Sequence, residues 1–351
     1  MATASSTGAG SLGGNQRRVI PILEIVLFAV FAAAPIVLQD YITVFVTRVL
    51  ILALLALSFD LVWGYSGIMS FGQALFFGAA GYGVALLARD LQITSAFIVL
   101  PVAVVIGLIL SVAIGAFLLL GRHPPTTIFV ALGTLASSYV ADQLARAWYY
   151  LGGQNGIPSI PPMTAGGYEF VEGPAYYYLT LTALAIVYLG CRFLVRSQFG
   201  LALAGVREHE ARIAFLGYEG QRMKLAMFSL AGAIAGLAGG LYAFHEGFVW
   251  PNMLGVVLST QIVLYALLGG VGTLIGPVIG VTAVEIASFS LSDAVPEIWP
   301  VLLGLLLLLA ILFAPSGLVG LVVSERERLG DFGRPLLRSP RADAAPDDAA
   351  A

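Results

Sequence analysis

The chain has 351 residues, of which 59% are hydrophobic and only 11% charged, with a formal net charge of −3; a soluble domain carries about 25% charged residues. These proportions exclude water as the main solvent, while the small net charge says little about partners and no basic stripe suggests nucleic acid. The single cysteine, Cys191, excludes an intrachain disulfide framework and a cysteine-based zinc site; it reads as a small packing residue.

Several apolar runs reach the ~20 residues needed to cross ~30 Å of hydrocarbon. Only helices and closed barrels satisfy their backbone groups there. Segments 96–120 and 301–314 are apolar on every face instead of alternating, which selects helices. The expected fold class is therefore all-α, a polytopic transmembrane helical bundle of about ten spans.

In chain order, residues 1–18 read as a flexible tail rich in Gly, Ser, Ala and Thr, ending at Arg17 and Arg18. Residues 19–38 are expected to form a retained first span and not a cleaved signal peptide, being longer than a signal core and showing no A-x-A site at the end of the run. The further predicted spans are 42–63, 64–88, 96–120, 126–150, 176–195, 223–245, 258–275, 277–291 and 298–314. The membrane domain covers 19–320, and 321–351 is expected to be a disordered tail.

Orientation follows from the basic residues, which favour cytoplasmic connections. With the N-terminus inside, that side receives Arg17, Arg18, Arg122, Arg196, Arg207, Arg212, Arg222, Lys224, Arg326, Arg328, Arg334, Arg338 and Arg341. Segment 152–173 has no Lys or Arg, carries Glu169 and Glu172, and reads as an outer loop. Both termini are thus expected in the cytoplasm.

The connection 196–222 is the most informative. Its core, 201–216, lacks proline, spaces Glu208 and Arg212 as an i,i+4 pair, and stops at Gly217. It predicts a short amphipathic helix on the cytoplasmic side, and two readings fit: a solvated linker or a partner-docking helix. Elsewhere, Gly232, Gly236 and Gly240 repeat on one helix face, as do Gly272, Gly276 and Gly280, a spacing that lets backbones approach closely in lipid. Segments 64–83 and 269–280, one in each half, are the most glycine-interrupted, and such pairs mark unwound helix near a solute path.

Ionisable residues at bilayer depth are costly. Asp142 and Arg146 fit a mutually neutralising pair, with a solute contact as the other reading. Asp60 reads as interfacial, Arg48 lies deeper in its span, and Glu285 has no basic residue near it in sequence. His123, His209 and His245 are scattered and propose no metal site. There is no phosphate-binding glycine loop, and Lys224 is the only lysine, so the chain is not expected to hydrolyse ATP by itself. No catalytic constellation stands out.

The stretch Arg207-Glu208-His209-Glu210-Ala211, followed by Gly217, resembles the cytoplasmic coupling loop of ABC importer permeases of the branched-chain amino acid type, the LivM-like family, with His209 where Asn is usual. Four further stretches resemble the same family in the same order: LVWGYSGIMSFGQALFFG at 61–78, with Gln73 where many members carry His; GGQNG at 152–156; LGGVGTLIGPVIG at 268–280; and FAPSGL at 313–318. The resemblance implies a multi-pass permease of the bacterial inner membrane that works with a second homologous permease, two cytoplasmic ATP-binding subunits and a periplasmic solute-binding protein. It implies no cofactor on this chain, ATP and Mg being used by the partners. It makes Arg207, Glu208, His209, Glu210, Ala211 and Gly217 the coupling residues. Gly67, Ser70, Gly72, Gln73, Gly270, Gly272 and Glu285 become candidates for the solute path. The substrate stays open between branched-chain amino acids and the urea or short amides carried by close relatives. An ion-coupled secondary transporter is the competing class, and it would need an arrangement of ionisable residues that the sequence leaves scattered.

Overall fold

The computed structural model describes residues 19–121, 126–292, 304–305 and 317–322, and these are almost all helical. In order come α1 (Val19–Val37), α2 (Asp40–Asp60), α3 (Gln73–Asp90), α4 (Ala96–Leu119), α5 (Thr127–Ala147), α6 (Pro174–Arg196), α7 (Gln198–Phe215), α8 (Gly220–Glu246), α9 (Val256–Gly269), α10 (Ile275–Ser292) and α11 (Gly317–Val322). Five helical stretches among the described residues are long and apolar enough to cross a membrane: Asp40–Tyr65, Ala96–Leu119, Thr127–Ala147, Pro174–Arg196 and Gly220–Glu246. Pro21–Val37, Val256–Gly269 and Ile275–Ser290 are shorter apolar helices. The predicted tail 1–18, the predicted span 298–314 apart from 304–305, and all but Leu321 and Val322 of the predicted tail 321–351 lie outside the described residues.

The bundle is apolar outside as well as inside. Phe97, Phe117, Ile128, Val140, Ile186 and Phe193 are exposed on α4, α5 and α6, a coating that a water-facing surface does not carry and a lipid-facing one requires. At the centre stands α8, which packs against α4, α3 and α2, while α2 also meets α6, α9 and α10. Small residues allow this. A Cβ on Gly107 of α4 would lie 2.9 Å from the Cα of Gly236, and one on Gly236 would lie 3.0 Å from the Cα of Gly107. Gly232 lies against Ser111, whose hydroxyl donates to the Ser229 carbonyl at 3.2 Å, and a Cβ on Gly240 would lie 2.6 Å from that of Ala103. Backbones this close gain dispersion contact in a solvent that offers no hydrophobic drive. On α10, Gly276 and Gly280 back onto the main chain of Gly269 in the same way.

Helix ends follow local chemistry. The Thr126 hydroxyl accepts the Phe129 N–H at 3.3 Å, capping α5. Pro174 opens α6, where its missing N–H costs nothing. Gly247, with φ +68°, closes α8 in the left-handed region.

Three expectations are corrected. The fold is not purely helical: a two-stranded hairpin, β1 (Met163–Ala165) with β2 (Tyr168–Phe170), stands in the loop between α5 and α6, with Thr164 opposite Glu169. That loop is tied to the far end of α8 by a bridge between Ile157 and Val249. Segment 64–88 is not one helix, since α2 continues through a π-helical turn, Leu61–Tyr65, and α3 starts only at Gln73. Segment 258–275 ends early, at Gly269, because 270–274 leave the helix before α10 begins.

Candidate functional site: two backbone breaks and an outlying helix

Two interruptions lie inside the bundle, and each frees backbone groups that must find partners where water is scarce. In the first, the N–H of Gly67 still reaches the Trp63 carbonyl in helical register at 3.2 Å, but that of Ile68 turns back to Val62 at 3.1 Å, so the chain leaves the helix. Gly67 supplies the left-handed φ of +73° that this exit requires. Beyond it, the Phe71 N–H donates to the Thr134 hydroxyl at 3.0 Å, and the Phe71 carbonyl accepts from Ser138 at 3.0 Å and Ser259 at 2.7 Å. The Ser70 hydroxyl accepts the Gly72 N–H at 3.1 Å. Gln73, buried at the start of α3, accepts the Ser58 hydroxyl at 3.2 Å through Oε1, and its amide nitrogen has no protein partner.

The second break, 270–274, runs through positive φ at Gly270 (+119°), Gly272 (+81°) and Leu274 (+56°). For leucine this is a strained conformation that surrounding structure must hold. The holder is Asp60: its fully buried carboxylate accepts the Gly272 N–H at 2.6 Å and the Leu274 N–H at 3.1 Å. The expectation that Asp60 sits at an interface is corrected here, because its helix continues for another turn and rotates it inward. Gly64 joins the two breaks, since a Cβ there would lie 2.7 Å from the Gly272 nitrogen. Thr273 closes the loop, donating to the Gly270 carbonyl at 2.8 Å and accepting the Gly276 N–H at 2.9 Å.

Helix α7 is the predicted amphipathic segment, and it begins three residues earlier than the predicted 201, at Gln198. It is kinked at His209, whose φ of −148° and ψ of 80° are not helical. The kink separates Glu208 from Arg212, and among the described residues no ion pair joins them, which corrects the expected i,i+4 contact. Leu203 and Val206 are buried towards the bundle, whereas Arg207, Glu208, His209 and Arg212 are exposed. Two of the expected coupling residues also contact the bundle: Glu210 accepts Lys224 of α8 at 2.6 Å, and the guanidinium of the exposed Arg207 donates to the Gly64 carbonyl. The side chain of Ala211 lies outside the description. Gly217, with φ +86°, ends the segment, its N–H reaching the Ala214 carbonyl at 3.0 Å.

The ionisable groups prove less scattered than their spacing implies. Glu285 of α10 accepts the Tyr265 hydroxyl of α9 and lies within electrostatic reach of Arg48, which faces Glu246 at 3.9 Å. Asp142 and Arg146 form the expected pair at 3.0 Å, and Arg146 also donates to Asn252 at 2.5 Å. Glu24, Arg192 and Tyr188 make a further cluster between α1 and α6: Tyr188 donates to Glu24 at 2.8 Å and Arg192 pairs with it. In the loop after α5, Tyr150 donates to Asp90 at 2.5 Å, and that carboxylate holds the phenol above its ordinary range.

Residues 41–311 match the family described as "Branched-chain amino acid transport system / permease component". The chain belongs to this family. Among curated relatives of this permease, it is 28% identical over 297 residues to the high-affinity branched-chain amino acid transport system permease protein LivM of Salmonella typhimurium, covering 78% of this chain and 68% of that one. It is 26% identical to the probable LivM of Methanocaldococcus jannaschii, covering 76% and 89%, and 30% identical to the autoinducer 2 import system permease LsrC of an Enterobacter species, covering 52% and 53%. No solved structure gives a significant match. These relatives are transport permeases and not enzymes, and the chain is accordingly a multi-pass membrane permease that serves as one component of a transport system.

Sequence reasoning missed the permease's Glu24, Arg192, Glu246, Thr134, Ser138 and Ser259. The first two carried a signal, being charges within predicted apolar spans. The hydroxyls carried none, since Ser and Thr inside a span ordinarily bond their own helix, as Thr134 also does to Val130 at 2.9 Å.

Proposed function

We propose that the chain is one of two homologous permease subunits of a bacterial ATP-driven importer of branched-chain amino acids, with both termini on the cytoplasmic side of the inner membrane. The observation that carries the reading is the family match over residues 41–311. It is supported by the position of α7 between two long apolar helices, with Glu208 and His209 left exposed for a partner. In this reading α7 docks on one of two cytoplasmic ATP-binding subunits, which use ATP and Mg; this chain binds no cofactor. A periplasmic binding protein delivers solute from the opposite face. The solute passes between the two permeases along the breaks, bordered by Gly67, Ser70, Gly72, Gln73, Gly270, Gly272 and Glu285, because irregular backbone at membrane depth belongs where it lines a polar path.

The experiment is uptake into vesicles holding the complete importer, with labelled leucine, isoleucine, valine and urea offered with the binding protein. ATP-driven accumulation of the three amino acids and not of urea is expected. Selective uptake of urea would replace the substrate while keeping the class.

A further inference from the structure

We propose that Arg207 and Asp60 are positioning residues of one mechanical linkage, which delivers movement of α7 to both backbone breaks; the proposal rests on the reading that α7 docks on an ATP-binding subunit. The chain of contact starts at α7. The Arg207 guanidinium donates to the Gly64 carbonyl, a group in the π-helical turn that the Ile68 N–H abandons for Val62. Its aliphatic stem crosses Gly67, where a Cβ would lie 3.0 Å from the Arg207 Cγ. Such π-turns are rare and occur frequently at functional sites. Arg207 therefore grips the π-helical turn that extends α2.

From Gly64 the linkage continues by direct contact. Its Cα has no room for a side chain against Gly272, and one turn earlier Asp60 holds Gly272 and Leu274 by charge-assisted bonds. Arg207 is also within electrostatic reach of Asp60, although the Gly272 and Leu274 N–H groups act on that carboxylate more strongly. Leu274 sits at φ +56°, a conformation that a residue other than glycine leaves when its holder moves. A shift of the π-helical turn is thereby a shift of the second break as well. Small displacements become discrete changes where packed elements have two arrangements.

This assigns Arg207 differently from its neighbours. All three side chains are exposed, but Arg207 also meets the bundle, at the Gly64 carbonyl and across Gly67. Its loss should spare docking and damage transmission.

The test uses the complete importer in vesicles and follows retention of the ATP-binding subunits, solute uptake and ATP hydrolysed per solute moved. Arg207→Gln removes the charge and the reach, and Arg207→Lys keeps a cationic donor. Asp60→Asn keeps the shape but places an amide where two N–H groups need acceptors. The proposal expects Arg207→Gln and Asp60→Asn to retain the ATP-binding subunits at the wild-type ratio while solute moved per ATP falls at least tenfold. Arg207→Lys should recover most of that loss. If Asp60→Asn fails to insert, the two Arg207 variants decide alone, since that residue lies on an outlying helix. An unchanged transport-to-hydrolysis ratio in Arg207→Gln overturns the proposal, and so does loss of the ATP-binding subunits, which would make Arg207 a docking residue. A wild-type chain that transports without those subunits removes the docking reading itself, an outcome distinct from a coupled wild type whose variants stay coupled.

Discussion

The two breaks solve one problem with different chemistry. The first is held by neutral hydroxyls from separate helices: Thr134 and Ser138 of α5 and Ser259 of α9 all reach Phe71. The second is held by a single carboxylate, Asp60, which accepts two N–H groups at once. A distributed clamp loses little when one member goes, because the carbonyl of Phe71 has two donors. A concentrated clamp fails as a unit, and it also answers to charge nearby. The second break is therefore the one through which a cation such as Arg207 can exert control.

The largest effect expected from this contrast is at Asp60. Asp60→Ala should leave two buried N–H groups without acceptors and release Leu274, for a loss of about 3 kcal/mol. Unfolding in mixed detergent and denaturant measures it, and wild-type stability would show that the break holds itself. Next comes Gly64→Ala, whose new methyl would press on the Gly272 nitrogen at 2.7 Å; overpacking of that kind costs about 1–3 kcal/mol. The same assay reads it, and a loss no greater than that of Gly190→Ala, where a Cβ meets nothing within 4 Å, would contradict the close approach. The smallest effect is at the hydroxyl clamp. Ser259→Ala should cost about 0.6 kcal/mol, the ordinary scale of interhelical hydrogen bonds in membranes, while the double change with Ser138→Ala should exceed the sum of the singles. Strict additivity would show that the two hydroxyls do not share the Phe71 carbonyl.

Much of this architecture was legible beforehand, and the failures have a common cause. Apolar runs located the long helices, and the connection 196–222 announced α7. Glycine located the breaks only roughly. Gly67, Gly72, Gly270 and Gly272 do lie in or beside them, but Gly78, Gly81 and Gly83 in the same stretch sit within regular helix and serve close packing. Both uses need the missing side chain, and the partners that separate them, such as Thr134 and Asp60, are distant in sequence. For Asp60 neither depth nor rotation was readable, because its helix runs on through Tyr65 and its partners Gly272 and Leu274 are distant in sequence. Glu285 looked alone because Tyr265 meets it across a helical hairpin and Arg48 approaches from α2. Arg207 was placed in the right helix and is exposed, but its contact with the Gly64 carbonyl, 143 residues away in sequence, was not legible.

In the proposed function, α7 couples the bundle to an ATP-driven partner. The most direct measurement is leucine uptake by vesicles containing the complete importer, wild type beside Glu208→Arg, with the ATP-binding subunits that remain bound counted in the same preparation. Glu208 is exposed on α7, so reversing its charge should leave the bundle intact, detach the ATP-binding subunits and abolish uptake. Full uptake by the chain alone, without ATP and unaffected by Glu208→Arg, would contradict the account and mark the protein as an ion-driven carrier.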